Sequence, residues 1–182
     1  MTLLAPSRRA RAITDVDVLG LVAQGVRCVL FDRDNTVVPR DTKVAPPEVV
    51  AWLDEARAQG LALVMVSNNF HTREVEASAE ELGVRVVHHA MKPAPFAVRR
   101  ALSLAGVAPE RAVLVGDQVF TDVVAGNLAG VRTILVDPQS TSDLWYTHVF
   151  RVFERAIGAR RGSGAAGRGA SEEGARREGD EP

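Results

Sequence analysis

Five short apolar runs alternate with helical patterns along this chain, and that alternation constrains its fold more than any other feature. The runs are 26–31, 61–66, 84–87, 112–115 and 131–136. Each is a continuous apolar stretch, not an alternating one, as expected of strands buried on both faces. Between the first two, Pro46-Pro47-Glu48 opens a helix in which Val49, Leu53 and Ala56 share a face, and Gly60 stops it. Thr72 can cap the next helix, where Val75, Ala79 and Leu82 fall at helical spacing before Gly83. A third helix spans 95–105 and is closed by Gly106; a fourth spans 121–129 and is stopped by Gly130. Strands and helices in this order predict an α/β domain: a parallel five-stranded sheet, helices on both faces, right-handed crossovers.

In such sheets ligands bind beyond the carboxyl ends of the strands. Polar residues collect there. The first run leads into "VLFDRDNTVV", so Asp32 and Asp34 follow a buried strand, two residues apart and on the same side of an extended chain. Ser67 ends the second run, Lys92 follows the third and Asp117 the fourth, with Asp122 five residues on. Two neighbouring carboxylates repel unless a cation lies beside them or one is protonated. Asp117 supplies a third oxygen donor and Asp122 a fourth, directly or through water. Oxygen donors with no His or Cys at ligand spacing suit Mg2+. A lone Asp-x-Asp is weak evidence, and a solvated loop is its plain alternative. Ser67, Thr36 and Asn68 are candidates beside an oxyanion, with ordinary turn or cap roles as the alternative.

Composition sharpens the case for Lys92. Among 22 basic residues only Lys43 and Lys92 are lysine. A compact ammonium fits between a carboxylate and another anion where a planar guanidinium does not. Lys43, in a polar loop, reads as an ordinary surface lysine. The net charge of −1 offers no basic field for nucleic acid. The single cysteine, Cys28, excludes an internal disulfide framework and reads as a small buried hydrophobe. No apolar stretch approaches the roughly 20 residues of a membrane span. Arg8, Arg9 and Arg11 are followed by no apolar signal core, so a cytoplasmic location is expected.

Taken in order, "DRDNTVV", "VMVSNN", "MKPAPFAVRRAL" and "VLVGDQVFTDVVAGNLAGVRTILV" resemble the haloacid dehalogenase (HAD) superfamily of aspartate-nucleophile phosphatases. With the later "SDLWYTHVFRVFERAI", they look like its subclass IIIA, the YqeG family, over about 13–157. The resemblance implies a Rossmann-like fold and hydrolysis of phosphomonoesters through a phosphoaspartate. Asp32 would be the nucleophile and Asp34 the general acid and base. Mg2+ would be held by Asp32, the Asp34 carbonyl and Asp117, with Asp122 in support; Ser67 and Lys92 would bind phosphoryl oxygens. Arg33 departs from the aliphatic residue usual between the aspartates of this family, and its expected effect is on the pocket rim.

The connections are too short to hold a large cap domain, so the pocket should stay open to a bulky phosphorylated substrate. Relatives in this family act on phosphatidylglycerophosphate, which makes a lipid phosphate one candidate. A sugar phosphate or nucleotide is a second, and a non-catalytic phosphate- or partner-binding module is a reading of another class. From Ser142 or Asp143 a helix is expected, with Trp145, Val149, Val152, Phe153 and Ala156 along one face and several arginines beside them. Packing on the parent domain is the plain reading of that face; a peripheral contact with an anionic membrane is the other. Residues 1–12 are expected to be a flexible segment, 13–157 the phosphatase domain, and the Gly/Arg/Glu-rich 158–182 a disordered tail. Nothing in the sequence sets the oligomeric state.

Overall fold

In a computed structural model of the protein, residues 3–140 are described. All five expected strands form and a sixth joins them, so the sheet is six-stranded rather than five-stranded. The strands are β1 (Arg8–Arg9), β2 (Cys28–Phe31), β3 (Ala62–Val66), β4 (Arg85–Val87), β5 (Ala112–Gly116) and β6 (Arg132–Leu135). They lie in the order β1-β6-β5-β2-β3-β4, and every pairing is parallel.

The extra strand comes from the segment left outside the domain on sequence grounds. Arg8 pairs with Ile134 and Arg9 with Leu135, and flanking bonds run from Ser7 N–H to Thr133 O and from Ala10 N–H to Leu135 O. Both arginines are exposed. Backbone hydrogen bonds carry this edge strand, helped by Ser7 Oγ, which accepts the Thr133 N–H, and by Asn127 Nδ2, which donates to the Leu3 and Ala5 carbonyls, so no apolar pattern announces it.

The α-helices among the described residues are α1 (Val18–Ala23), α2 (Pro47–Ala58), α3 (Thr72–Glu81), α4 (Phe96–Ala105) and α5 (Val124–Ala129). The short α1 was not anticipated. Asp17 caps it by accepting the Gly20 N–H at 2.9 Å. The stops follow their signals, Gly60, Gly83, Gly106 and Gly130 all taking positive φ just past their helices. Two starts do not. Thr72 is the first residue of α3, with His71 at the N-cap and its own Oγ1 bonded to His89 Nε2, and the helix expected from residue 121 is α-helical only from Val124.

Strand alternation divides the core. Val29 and Phe31 of β2 join Met65, Val113 and Val115 on one face, under α1, α2 and α3. Cys28 and Leu30 join Val64, Val66 and Leu114 on the other, under α4 and α5. Burial pushes the Cys28 thiol up to about 12, against a smaller opposing effect of Arg85, so it behaves as the inert hydrophobe expected.

Two features place the site. The chain runs from β2 outward to β3 and β4, then returns to the other side of β2 as β5. The strand order therefore reverses between β2 and β5, the crevice where open parallel sheets bind ligands. Among the described residues, no inserted domain covers that edge. Between β2 and α2, residues 32–46 form a tight turn, closed by Val37 and Val38 N–H bonds to Arg33 O and an isolated bridge between Asp34 and Val38, followed by a loop with one further turn from Lys43 N–H to Pro39 O. The helix expected from residue 142, the boundary at 157 and the tail lie outside the described residues.

Candidate active site

β2 ends at Phe31 and β5 at Gly116, adjacent and in register, so the residues that follow emerge side by side. Asp32 N–H still bonds to Val115 O at 2.9 Å, which fixes the first aspartate against β5. Asp117 begins the next connection. A π-helical turn, Val119–Val123, then swings Asp122 back toward the sheet. Asp122 N–H and Val123 N–H both bond to Gln118 O, and Asp122 Oδ2 accepts the Gln118 N–H at 3.1 Å. Gly116 makes room for this return. A Cβ there would collide with the Asp122 carboxylate.

Lys92 arrives from the far side. Its side chain lies between two strand ends, with Nζ donating to Asp32 Oδ1 (2.7 Å), Asp122 Oδ1 (2.6 Å) and Val66 O (2.7 Å). The Lys92 side chain is 1 % exposed. Asn68 fixes the Lys92 backbone: its Nδ2 donates to Lys92 O at 3.0 Å and its Oδ1 accepts the Lys92 N–H at 2.8 Å. Asn68, expected among the phosphate-binding residues, thus has its side-chain amide engaged in positioning Lys92.

Asp32, Asp117 and Asp122 each offer a carboxylate oxygen, all within 4.8 Å of one another, and all three residues are buried. One ammonium faces three carboxylates, which leaves a deficit of two positive charges. The electrostatics register it. Burial pushes Asp32 up to about 7, with Asp122 and Asp34 adding to the rise and Lys92 opposing it. Burial, then Asp32 and Asp122, push Asp117 up to about 8. For Lys92 burial alone would lower the pKa, but Asp122 and Asp32 outweigh it and hold the ammonium charged. Asp117 Oδ2 is buried with no hydrogen-bond donor among the described residues. An orphaned, buried carboxylate oxygen within an under-neutralised trio is what a divalent cation would complete. The donor set therefore fits the metal that the sequence implied.

Asp34 stands slightly apart. Its Oδ1 is paired with Arg33 Nη1 at 2.5 Å and its Oδ2 accepts from Asn69 Nδ2 at 3.1 Å. Arg33 is not a rim residue alone: it is 4 % exposed, and its Nε donates to Ser78 Oγ on α3 at 3.0 Å. Asn69 stands outside the candidates drawn from the sequence. A second amide directly after a strand-end serine was its one signal. Ser67 is buried and its Oγ accepts the Asn69 N–H at 3.1 Å, which leaves the hydroxyl proton for a ligand. Thr36 Oγ1 is buried without a partner among the described residues. Thr36 lies in the turn that Gln139 holds, through a bond from its Nε2 to Thr36 O at 2.9 Å. A cavity of about 480 Å3 opens beside Asp34, lined by Asn68 and Asn69 and, further out, by Arg40, Lys43 and His71.

A doubly wound parallel sheet with an acidic trio, one buried lysine and a strand-end Asp-x-Asp at its switch point defines the HAD-type phosphatases. Residues 89–151 match a HAD-hydrolase-like family model. The chain is 37 % identical over 137 residues to "Probable phosphatase YqeG" of Bacillus subtilis, covering 75 % of this chain and 79 % of that protein. It belongs to the YqeG family of HAD phosphatases. It is also 30 % identical over 149 residues to a chloroplastic phosphatidylglycerophosphate phosphatase 1 of Chlamydomonas reinhardtii, spanning 78 % of this chain but only 55 % of that protein. Among solved structures, an uncharacterized protein of Corynebacterium glutamicum shares the fold, with a TM-score of 0.51, 18 % identity, and coverage of 76 % and 94 % of the two chains.

Proposed function

We propose that this phosphatase works as a Mg2+-dependent phosphomonoesterase with Asp32 as nucleophile and a phosphorylated lipid or other bulky phosphate as substrate. The observation that carries the reading is the buried cluster at the switch point, three carboxylates around one ammonium with the Asp34 side chain beside it. An Asp32 oxygen attacks phosphorus, and the bond from phosphorus to the leaving oxygen breaks. Asp34 gives that oxygen a proton, then takes one from the water that attacks the phosphoaspartate and releases inorganic phosphate. Arg33 and Asn69 hold the Asp34 carboxylate in place for both transfers. Lys92, Ser67 and Thr36 face the phosphoryl oxygens, and Asn68 keeps Lys92 in register. Asp32, Asp117 and the Asp34 carbonyl would hold the metal, with Asp122 in support. When bound, the ion supplies the positive charge that lets an anionic nucleophile meet an anionic phosphate.

The strand edge, over which no inserted domain lies among the described residues, supports a substrate whose body stays outside, and the likeness to a phosphatidylglycerophosphate phosphatase supports a lipid. The 480 Å3 cavity is also large enough for a small molecule, so a sugar phosphate or nucleotide is the second reading. A panel of p-nitrophenyl phosphate, sugar phosphates, nucleotides and lipid phosphomonoesters, with Mg2+ and with chelator, separates the two. The first reading expects metal-dependent release from all activated esters and the highest kcat/KM on a lipid phosphate. A higher kcat/KM on a sugar phosphate or nucleotide would replace it by the second, and no release from any ester would leave a non-catalytic module.

A further inference from the structure

Among the described residues, the three most exposed large apolar side chains lie in neighbouring connections on the active-site edge. Phe70 is 76 % exposed, Phe96 73 % and Met91 70 %, while no other large apolar residue exceeds 58 %. Half-exposed leucines scattered over a surface are ordinary. Side chains with most of their apolar area in water, grouped at one end of a fold, mark a contact surface. Phe70 follows β3, two residues after Asn68. Met91 follows β4 and is bonded directly to Lys92, and Phe96 opens α4 four residues on. β3 and β4 are neighbours in the sheet, so these connections leave the same edge together. The Phe70 ring lies 5.5 Å from that of His89, which ties one connection to the other.

Charge identifies the occupant. Segments 68–73 and 88–100 contain no aspartate or glutamate, yet they expose Arg73, Arg99 and Arg100. Glu74, the next acid along, is paired with Lys43, and Glu76 lies 3.8 Å from His88 Nε2. Projecting aromatic and methionine side chains, flanked by arginines and with each neighbouring acid, Asp34, Glu74 and Glu76, set against a basic side chain, match an anionic lipid surface, where apolar tips enter the headgroup boundary and guanidiniums meet phosphates. We propose that this edge docks on an anionic bilayer through Phe70, Met91 and Phe96, so that the mouth of the site opens toward the membrane. The proposal deepens the lipid-phosphate reading above and is independent of the helix expected after residue 142.

The test is co-sedimentation of the full-length protein with phosphatidylcholine vesicles, with and without phosphatidylglycerol, at low and moderate salt. Wild type is expected to bind the anionic vesicles preferentially and to weaken with salt. Met91→Ser combined with Phe96→Ser should lower the partition coefficient by about tenfold or more, with turnover of soluble p-nitrophenyl phosphate unchanged, which shows an intact fold. Absence of wild-type binding at low salt, or equal binding by the double variant, would overturn the proposal. Wild type that binds vesicles and hydrolyses p-nitrophenyl phosphate, yet leaves a lipid phosphomonoester in those vesicles untouched, would keep the docking surface and remove the lipid substrate.

Discussion

Lys92 and Asp117 show most sharply how single residues set this site's properties. Three donors from one ammonium at 2.6 to 2.7 Å, on a side chain 1 % exposed, leave no room for a forked guanidinium. Lys92→Arg should therefore lower kcat/KM by about 10²-fold or more despite keeping the charge; a near wild-type rate would make Lys92 a generic cation. Burial and two neighbouring carboxylates oppose ionisation of Asp117. Asp117→Asn should raise the melting temperature of chelated protein at pH 8 and abolish its rise on adding Mg2+, both readable by calorimetry. The lysine was legible because an arginine-rich chain kept it after a strand. The contact of Asn69 with Asp34 was not, because a loop amide gains that partner only when β2 and β3 lie side by side, and the burial of Arg33 was not, because its bond to Ser78 needs α3 packed over the sheet.

At the scale of elements, the connection from β5 to α5 does the positioning. A straight α-helical start would carry Asp122 elsewhere; the π-helical turn returns it to Lys92, and Gly116 permits the close approach. Gly116→Ala should destabilise the fold by about 1–3 kcal/mol through overpacking and weaken Mg2+ binding, measured as a higher midpoint in a thermal-shift titration. An alanine variant with wild-type metal response would show that Asp122 has slack. Sequence reading recovered every buried strand because continuous apolar runs carry that signal. It missed β1, whose two arginines contribute only backbone, and α1, a six-residue helix with too few positions for a period to show. The π-helical turn was also invisible, since its hydrogen-bond offset leaves no residue pattern.

The whole molecule couples its stability to charge at the switch point. Asp32 and Asp117 are raised to about 7 and about 8 in the folded protein, against about 3.9 for an unfolded aspartate. Between those values the folded state binds more protons than the unfolded state, so the stability of metal-free protein falls as pH rises from about 4 to 8. Below pH 4 both states are protonated at these groups and the effect is absent. A cation that neutralises the trio should therefore stabilise more at pH 8 than at pH 5, a difference that melting curves in chelator and in Mg2+ would record. The same deficit of charge underlies the catalytic account, whose central claim is that Asp32 attacks phosphorus. The most direct test is phosphate release from p-nitrophenyl phosphate in Mg2+ by wild type and by Asp32→Asn, with folding checked by circular dichroism. The account predicts turnover by wild type that chelator abolishes, and a loss of roughly 10³-fold or more in a folded Asp32→Asn protein; an asparagine variant working at a rate near wild type would contradict it.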